Sequence, residues 1–293
     1  MSGLAAPPVS ASDGPLARVV DDSGRPVRLA APARRIVALA PALVELAFAA
    51  GGGSWVVGAV DYSDVPPAAR ALPRVGSAVA LDIERLLALR PDLILAWSGG
   101  SSPKLLERLE ELGIPVFHSR IERLEAIATT LERFALLFGT TASPAADAFR
   151  LRLAQLSASA AAVGAELDGP PVRVFYQLWA QPLMTINRHH VIDDVIRRCG
   201  GVNLFADAPT PVPHVGVEAV VVAAPELIIA ASALPGGAAD GSLERWRRFP
   251  SLPAVRHGGL LHLEADTIAR PAPRMLDAAE AICKATARAR QAR

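Results

Sequence analysis

The chain has 293 residues, 51% of them hydrophobic but only 5% aromatic, with 30 Lys and Arg against 29 Asp and Glu and a formal net charge of +1. That length suits two medium domains or one large one and excludes a wholly disordered chain, while the charge balance gives no electrostatic case for nucleic acid or an anionic membrane. The 2 cysteines exclude a disulfide scaffold and a four-cysteine zinc site, but they allow one bridge.

Residues 1–15, MSGLAAPPVSASDGP, are aperiodic and rich in Ala, Pro, Ser and Gly, which predicts a disordered leader. As written they carry no basic region followed by an apolar one, so no export signal is visible. ARVVDDSGRPVRL alternates apolar and polar residues around Asp22-Ser23-Gly24, a hairpin signal. The longest apolar stretches, Ile36 to Gly53 and Val217 to Pro235, are broken by proline and by Glu45, Glu218 and Glu226, and neither reads as a transmembrane helix.

From Arg35 onward, short aliphatic runs alternate with amphipathic stretches. RIVAL (35–39), WVVGAV (55–60), LILA (93–96) and PVF (115–117) read as strands. Helices are expected from Pro41 to Ala50, around Asp82 to Leu89, and after Ser102-Pro103. This alternation indicates a mainly parallel sheet covered on both faces. Ser143, as N-cap before Pro144, then opens a run with no breaker until Gly164, roughly 30–37 Å of helix and too long for an ordinary crossover. DGPP (168–171) ends it and VRVFY (172–176) restarts the alternation.

An internal repeat supports a two-lobed reading. DIERLLALRPDLILA (82–96) aligns without gaps to GVEAVVVAAPELIIA (216–230), pairing Glu84 with Glu218, Pro91 with Pro225, Leu93 with Leu227, Ile94 with Ile228 and Ala96 with Ala230. Each copy is a short helix, a proline that stops it, an acidic residue and a buried strand. The expected fold class is α/β: an N-terminal lobe over 16–142, a linking helix over 143–168 and a C-terminal lobe over 169–293, each lobe a mainly parallel sheet flanked by helices. A cleft between the lobes is the expected ligand site.

Catalytic motifs are missing: there is no G-x-S-x-G elbow, Walker A loop or H-E-x-x-H, and Gly51-Gly52-Gly53 and Gly99-Gly100 read as turn glycines. The histidines do not suggest a metal site; adjacent His189 and His190 point apart, and His214, in PTPVPHVG, is the one expected near a cleft. Trp97 and Trp179 follow apparent strands, as does Tyr62, and residues past the carboxyl ends of parallel strands line ligand crevices. The alternative for each tryptophan is a cap on the sheet edge. Placed at corresponding strand ends of the two lobes, the pair favours a flat apolar ligand held between aromatic faces.

Glu84 and Glu218 each begin a helix, where a carboxylate ordinarily complements the helix dipole; the functional alternative is matched charges that dock on a two-fold partner. Asp266 and Arg270, in EADTIARPAPRM, either pair with each other or present an acceptor and a fork of donors to a ligand. Neither has an adjacent base or nucleophile, so no catalytic constellation emerges and no enzyme is expected.

The residues DDSGRPVRLAAPARRIVALAPALVELAFAAGGGSWVVGAVDYSDVPP, IERLLALRPDLILAW and CGGVNLF together resemble class III periplasmic substrate-binding proteins of ABC importers, and within that class the cobalamin-binding members. The resemblance covers nearly the whole chain after residue 15 and implies two α/β lobes bridged by one long helix. It implies that Tyr62 and Trp97 contact the ligand from the first lobe and Asp266 and Arg270 from the second, and that Glu84 and Glu218 pair with arginines of a permease dimer. Cys199 and Cys283 match the family's cysteine pair and are implied to form a disulfide, in an oxidising periplasm reached by a signal trimmed from this sequence or misplaced by its assigned start. Leu178, beside Trp179, stands where the cobalamin binders have a cleft phenylalanine, and Ala78 and the region of Val212 stand where they have tryptophans. That less aromatic cleft leaves room for haem, with Tyr62 or His214 as axial ligand, or for a ferric siderophore. The expected protein is therefore a monomeric carrier with a corrinoid ligand, no cofactor and no resident metal. A cytoplasmic corrinoid-salvage enzyme and a pure interaction module are the rival classes.

Overall fold

The computed structural model describes residues 17–77, 80–140, 144–167, 169–232 and 241–293. The expected leader, the Ser143 N-cap and Ala78 lie outside the described residues. The first lobe begins with the hairpin β1 (Ala17–Val20) and β2 (Pro26–Leu29), whose turn is organised by buried Asp21: its Oδ1 accepts from the Ser23 and Arg25 amides, both at 2.9 Å. Then follow β3 (Ile36–Ala38), α1 (Pro41–Ala49), β4 (Val56–Ala59), the small ladder of β5 (Gly76–Ser77) and β6 (Ala80–Leu81), α2 (Ile83–Ala88), β7 (Leu93–Trp97), α3 (Pro103–Glu111), β8 (Val116–Ser119) and α4 (Leu124–Phe138). β3, β4, β7 and β8 form a parallel sheet in the order β4-β3-β7-β8.

The long helix α5 (Pro144–Glu166) leads to the second lobe. There β9 (Val172–Gln177), the hairpin of β10 (Trp179–Ala180) and β11 (Leu183–Met184), α6 (Val191–Arg198), β12 (Gly201–Asn203), α7 (Val217–Val222), β13 (Leu227–Ser232), α8 (Glu244–Arg247), α9 (Pro253–Arg256), β14 (Leu260–Glu264), α10 (Ala265–Ile268) and α11 (Met275–Gln291) follow. Its parallel sheet, β12-β9-β13-β14, repeats the strand order of the first. The sequence repeat maps onto α2–β7 and α7–β13, and even the backbone strain recurs: Arg90 and Ala224, at matching positions, hold φ of +47° and +45°.

The lobes share a core. Ala146, Phe149, Leu153 and Leu156 make the buried stripe of α5, and they join the apolar residues of α1, α4, α6 and α11 in one continuous cluster. A second tie runs behind the sheets, where the Leu124 amide at the start of α4 donates to Asp194 Oδ2 of α6 at 3.0 Å and Arg198 pairs with Glu125. A continuous helix, a shared core and this strap all resist wide hinge opening.

Helix α6 starts at His190, whose Nδ1 accepts from the Ile192 amide at 3.2 Å, so the cap requires an unprotonated Nδ1. Burial lowers the His190 pKa to about 4, although Asp193 acts in the opposite direction. As pH falls from 6.5 towards 4 the unfolded chain takes up this proton before the native state does, so stability is complete above that window and is lost through it. Up to about 3 kcal/mol is expected to disappear. Urea unfolding between pH 7 and 4 should show this loss, and His190→Asn, which caps without titrating, should remove most of it; an unchanged pH slope in the variant would overturn the assignment.

Candidate functional site

One ion-pair network joins residues that follow the carboxyl ends of strands in both sheets, and it marks the candidate site. Glu45 projects from α1, the first helix after β3; Asp64 lies in the loop after β4; Asp266 sits on α10 after β14. Arg270 reaches all of these: Nη1 lies 3.0 Å from Asp64 Oδ1 and 3.4 Å from Glu45 Oε1, and Nη2 lies 2.9 Å from Asp266 Oδ1. Arg274 completes the network with a two-pronged grip on Glu45, Nε to Oε2 at 2.8 Å and Nη2 to Oε1 at 2.9 Å. Burial pushes the Glu45 carboxyl above its ordinary range, against the hydrogen bonds and charges of Arg274 and Arg270. For Asp64 burial also acts upward, but the hydrogen bond and charge of Arg270 outweigh it and hold the carboxyl below the usual range.

The pairing of Asp266 with Arg270 and their presentation to a ligand were alternatives in the sequence; the structure contains the pair and also carries Arg270 to Glu45 and Asp64 of the other lobe. Asp266 lies in a short helix rather than in the expected loop. Glu45, Asp64 and Arg274 were not singled out as site residues. The available signal was Glu45 itself, the lone carboxylate in the otherwise apolar helix PALVELAFA.

Every Phe, Trp and Tyr of the chain is among the described residues, and only Tyr62, Trp97 and Trp179 are exposed, at 80%, 44% and 61%. Trp97 ends β7, Tyr62 follows β4, and Trp179 stands just past β9. Tyr62 holds a left-handed backbone, φ +62°, uncommon for a bulky residue, which turns its ring outward from the strand end. The Trp97 indole lies over the backbone of Gly99 and Gly100: a Cβ on Gly100 would sit 2.6 Å from its Cε3, and one on Gly99 2.7 Å from its Cζ2. These glycines do more than turn the chain, because any side chain there would displace the ring. The other tryptophans are structural: Trp246 is fully buried and donates to Gln177 at 2.9 Å, and Trp55 stacks under Arg34 at 3.8 Å. The strand ends of Trp97 and Trp179 do not correspond: by strand order β7 matches β13, whereas β9 matches β3.

Trp179 and His214 share one patch, since Met184 pairs with Trp179 on one side and bridges to His214 on the other. At ordinary strand spacing the outer two are about 10 Å apart. His214 is exposed, and the Trp179 indole is steadied by a 2.8 Å bond from Nε1 to the Gln181 carbonyl. Leu178 is half-buried, packs against the shared core and donates its amide to the Met184 carbonyl. Cys199, at the end of α6, and Cys283, within α11, form a disulfide. A cavity of about 320 Å³ lies between α5 and α11, lined by Leu156, Ala160, Val163 and this disulfide, and it holds neither the exposed rings nor the residues of the Glu45 network.

Glu84 and Glu218 occupy the first turns of α2 and α7 and are exposed, with no ion pair among the described residues. In α2 the capping is done by Asp82, which accepts from the Arg85 amide at 2.9 Å, so Glu84 is not needed for it.

A family model described as periplasmic binding protein matches residues 36–267. The vitamin B12-binding protein of Vibrio cholerae is 39% identical over 258 residues, covering 86% of this chain and 88% of that protein. The crystal structure of the periplasmic vitamin B12 binding protein BtuF of Vibrio cholerae superposes with a TM-score of 0.77 at 36% identity, covering 87% of this chain and 97% of the other. A periplasmic heme binding protein from Pseudomonas aeruginosa follows the same fold with a TM-score of 0.73 at 28% identity, over 86% of this chain and 92% of its own. Two repeated parallel sheets joined by one long helix, matched across most of their length by such relatives, leave a single assignment: the chain belongs to the periplasmic binding protein family.

Proposed function

We propose that this protein captures cobalamin or a related corrinoid in the cleft between its lobes and delivers it to the permease of an ABC importer. The observation that carries this reading is the exposure of three aromatic rings, Tyr62, Trp97 and Trp179, beyond sheet ends in a chain whose other Phe, Trp and Tyr residues are buried or half-buried. Flat apolar faces around a charged floor suit a ligand with a planar macrocycle and amide-bearing arms: the rings cover the macrocycle while Asp266 and Arg270 exchange hydrogen bonds with the amides. Vitamin B12-binding relatives at 39% identity support the same ligand.

In this reading the protein is a carrier and not an enzyme. The lobes, 16–142 and 169–293, move only slightly about helix α5, and Glu84 and Glu218, exposed and without an ion pair among the described residues, meet cationic groups on a two-fold permease. The disulfide supports an oxidising compartment, hence the periplasm. Calorimetric titration of the purified protein with cyanocobalamin is expected to give one site with a Kd of about 1 μM or below. Absence of heat at concentrations of tens of micromolar would overturn the corrinoid reading. The exposed phenol of Tyr62 favours haem as the second reading, and a Soret band on adding haemin that vanishes in Tyr62→Phe would establish it.

A further inference from the structure

Arg270 enters the proposed site already engaged. Its most exposed partners, Asp64 and Asp266, have side chains 45% and 38% accessible, whereas Glu45 is 6% accessible. A ligand approaching through the cleft meets the first two and cannot reach Glu45. Glu45 is in turn gripped through both oxygens by Arg274, which contacts no other carboxylate among the described residues. The network therefore has an exchangeable outer part and a fixed inner part, and the inner part crosses between lobes: Glu45 belongs to the first sheet's helix α1, while Arg270 and Arg274 belong to the segment entering α11.

We propose that Glu45, clamped by Arg274, is a positioning residue that holds the Arg270 guanidinium in the cleft and fixes the spacing of the two lobes on the cleft side. Where it concerns ligand capture the inference rests on the reading of the cleft as the ligand site; the lobe tie does not. The chemistry favours such a fixed point. A buried carboxylate deprived of its arginines is left uncompensated, so the favourable state keeps all three side chains together. Bidentate geometry sets the orientation of the Glu45 carboxylate on Arg274 as well as its distance, and that fixed carboxylate then meets Arg270 Nη1 by a single contact of 3.4 Å, alongside the 3.0 and 2.9 Å contacts of Asp64 and Asp266. Capture then replaces the outer contacts of Arg270 with ligand acceptors, while Glu45 keeps the guanidinium aimed.

Two measurements decide this. In the ligand-free protein, nitroxide labels on L112C in the first lobe and V202C in the second, both native side chains exposed, report the lobe spacing by pulsed electron double resonance. The parent should give one narrow distance distribution; E45Q and R274M should each broaden it, and the double variant should be no broader than the worse single one. A distribution in E45Q that superposes on the parent overturns the lobe tie. In calorimetry with cyanocobalamin, E45Q is expected to weaken binding about 10-fold. In an R270A background the same change should add nothing, because it acts through Arg270; an equal loss in both backgrounds overturns the positioning role, since a merely structural effect would be additive. Should the parent bind no cyanocobalamin, the cleft reading and the positioning role fall together while the distance measurement still decides the tie. E45D, which keeps the charge but withdraws it by one methylene, carries both tests if E45Q does not fold.

Discussion

Replacing Cys199 and Cys283 by alanine, or reducing the bond between them, is expected to lower the unfolding free energy by about 4 kcal/mol and the melting temperature by about 10 °C. The two residues are separated by 84 positions, and closing a loop of that size removes a large share of the unfolded chain's freedom. The bond also sits where it matters to the fold: it fixes the end of α6 to the middle of α11, the helix that covers α5, β9, β13 and β14. Cys199 is buried in the shared core, so alanine there loses packing as well as the crosslink. Thermal melts of oxidised and reduced protein, with the double alanine variant alongside, give the measurement. Coincident melts within about 1 °C would show that the lobe holds itself together by packing alone. The expected result also bears on location, because a domain that draws this much stability from a disulfide is suited to a compartment that keeps the bond oxidised.

Much of this architecture was legible because the strands are short aliphatic runs bounded by proline and glycine, and because the 82–96 and 216–230 segments repeat. The buried runs of β3 and of the first four residues of β7 are what a sheet covered on both faces requires, and such runs need no alternation to be recognised. Helix α4 was left without an assignment despite its amphipathic run and the left-handed Gly139 that ends it; it bridges the lobes through Asp194, a long-range contact that local pattern does not encode. The aromatic part of the candidate site was visible as rings just past strand ends. Its floor was not, because Glu45, Asp64 and Arg274 come from three separate segments, and only folding shows that the lone carboxylate in α1 faces two arginines more than two hundred residues away. The sequence also could not distinguish exposed Trp97 from buried Trp246, since each is an indole in an apolar neighbourhood. What separates them is the glycine pair under the first and the Gln177 acceptor beside the second.

Removing the Trp97 ring should produce a large loss of ligand affinity, about 30-fold for W97A against cyanocobalamin. A ring with 44% of its surface exposed, covered by a bound macrocycle, contributes about 2 kcal/mol through apolar burial and stacking. The fold should be little affected, because the ring is 44% exposed and lies over the Gly99-Gly100 turn. That support provides a second, more discriminating variant. In G100A the ring remains, but the new Cβ would lie 2.6 Å from Cε3, so the indole must tilt off its platform. If the ring acts as a preorganised face, G100A loses a substantial fraction of the W97A effect with every aromatic atom still present. If it acts only as apolar bulk, G100A binds like the parent. W179A should weaken binding separately and nearly additively with W97A, because the two rings stand on different lobes and share no partner. Parent-like affinity in both single tryptophan variants would mean that the exposed rings serve some surface other than the ligand's.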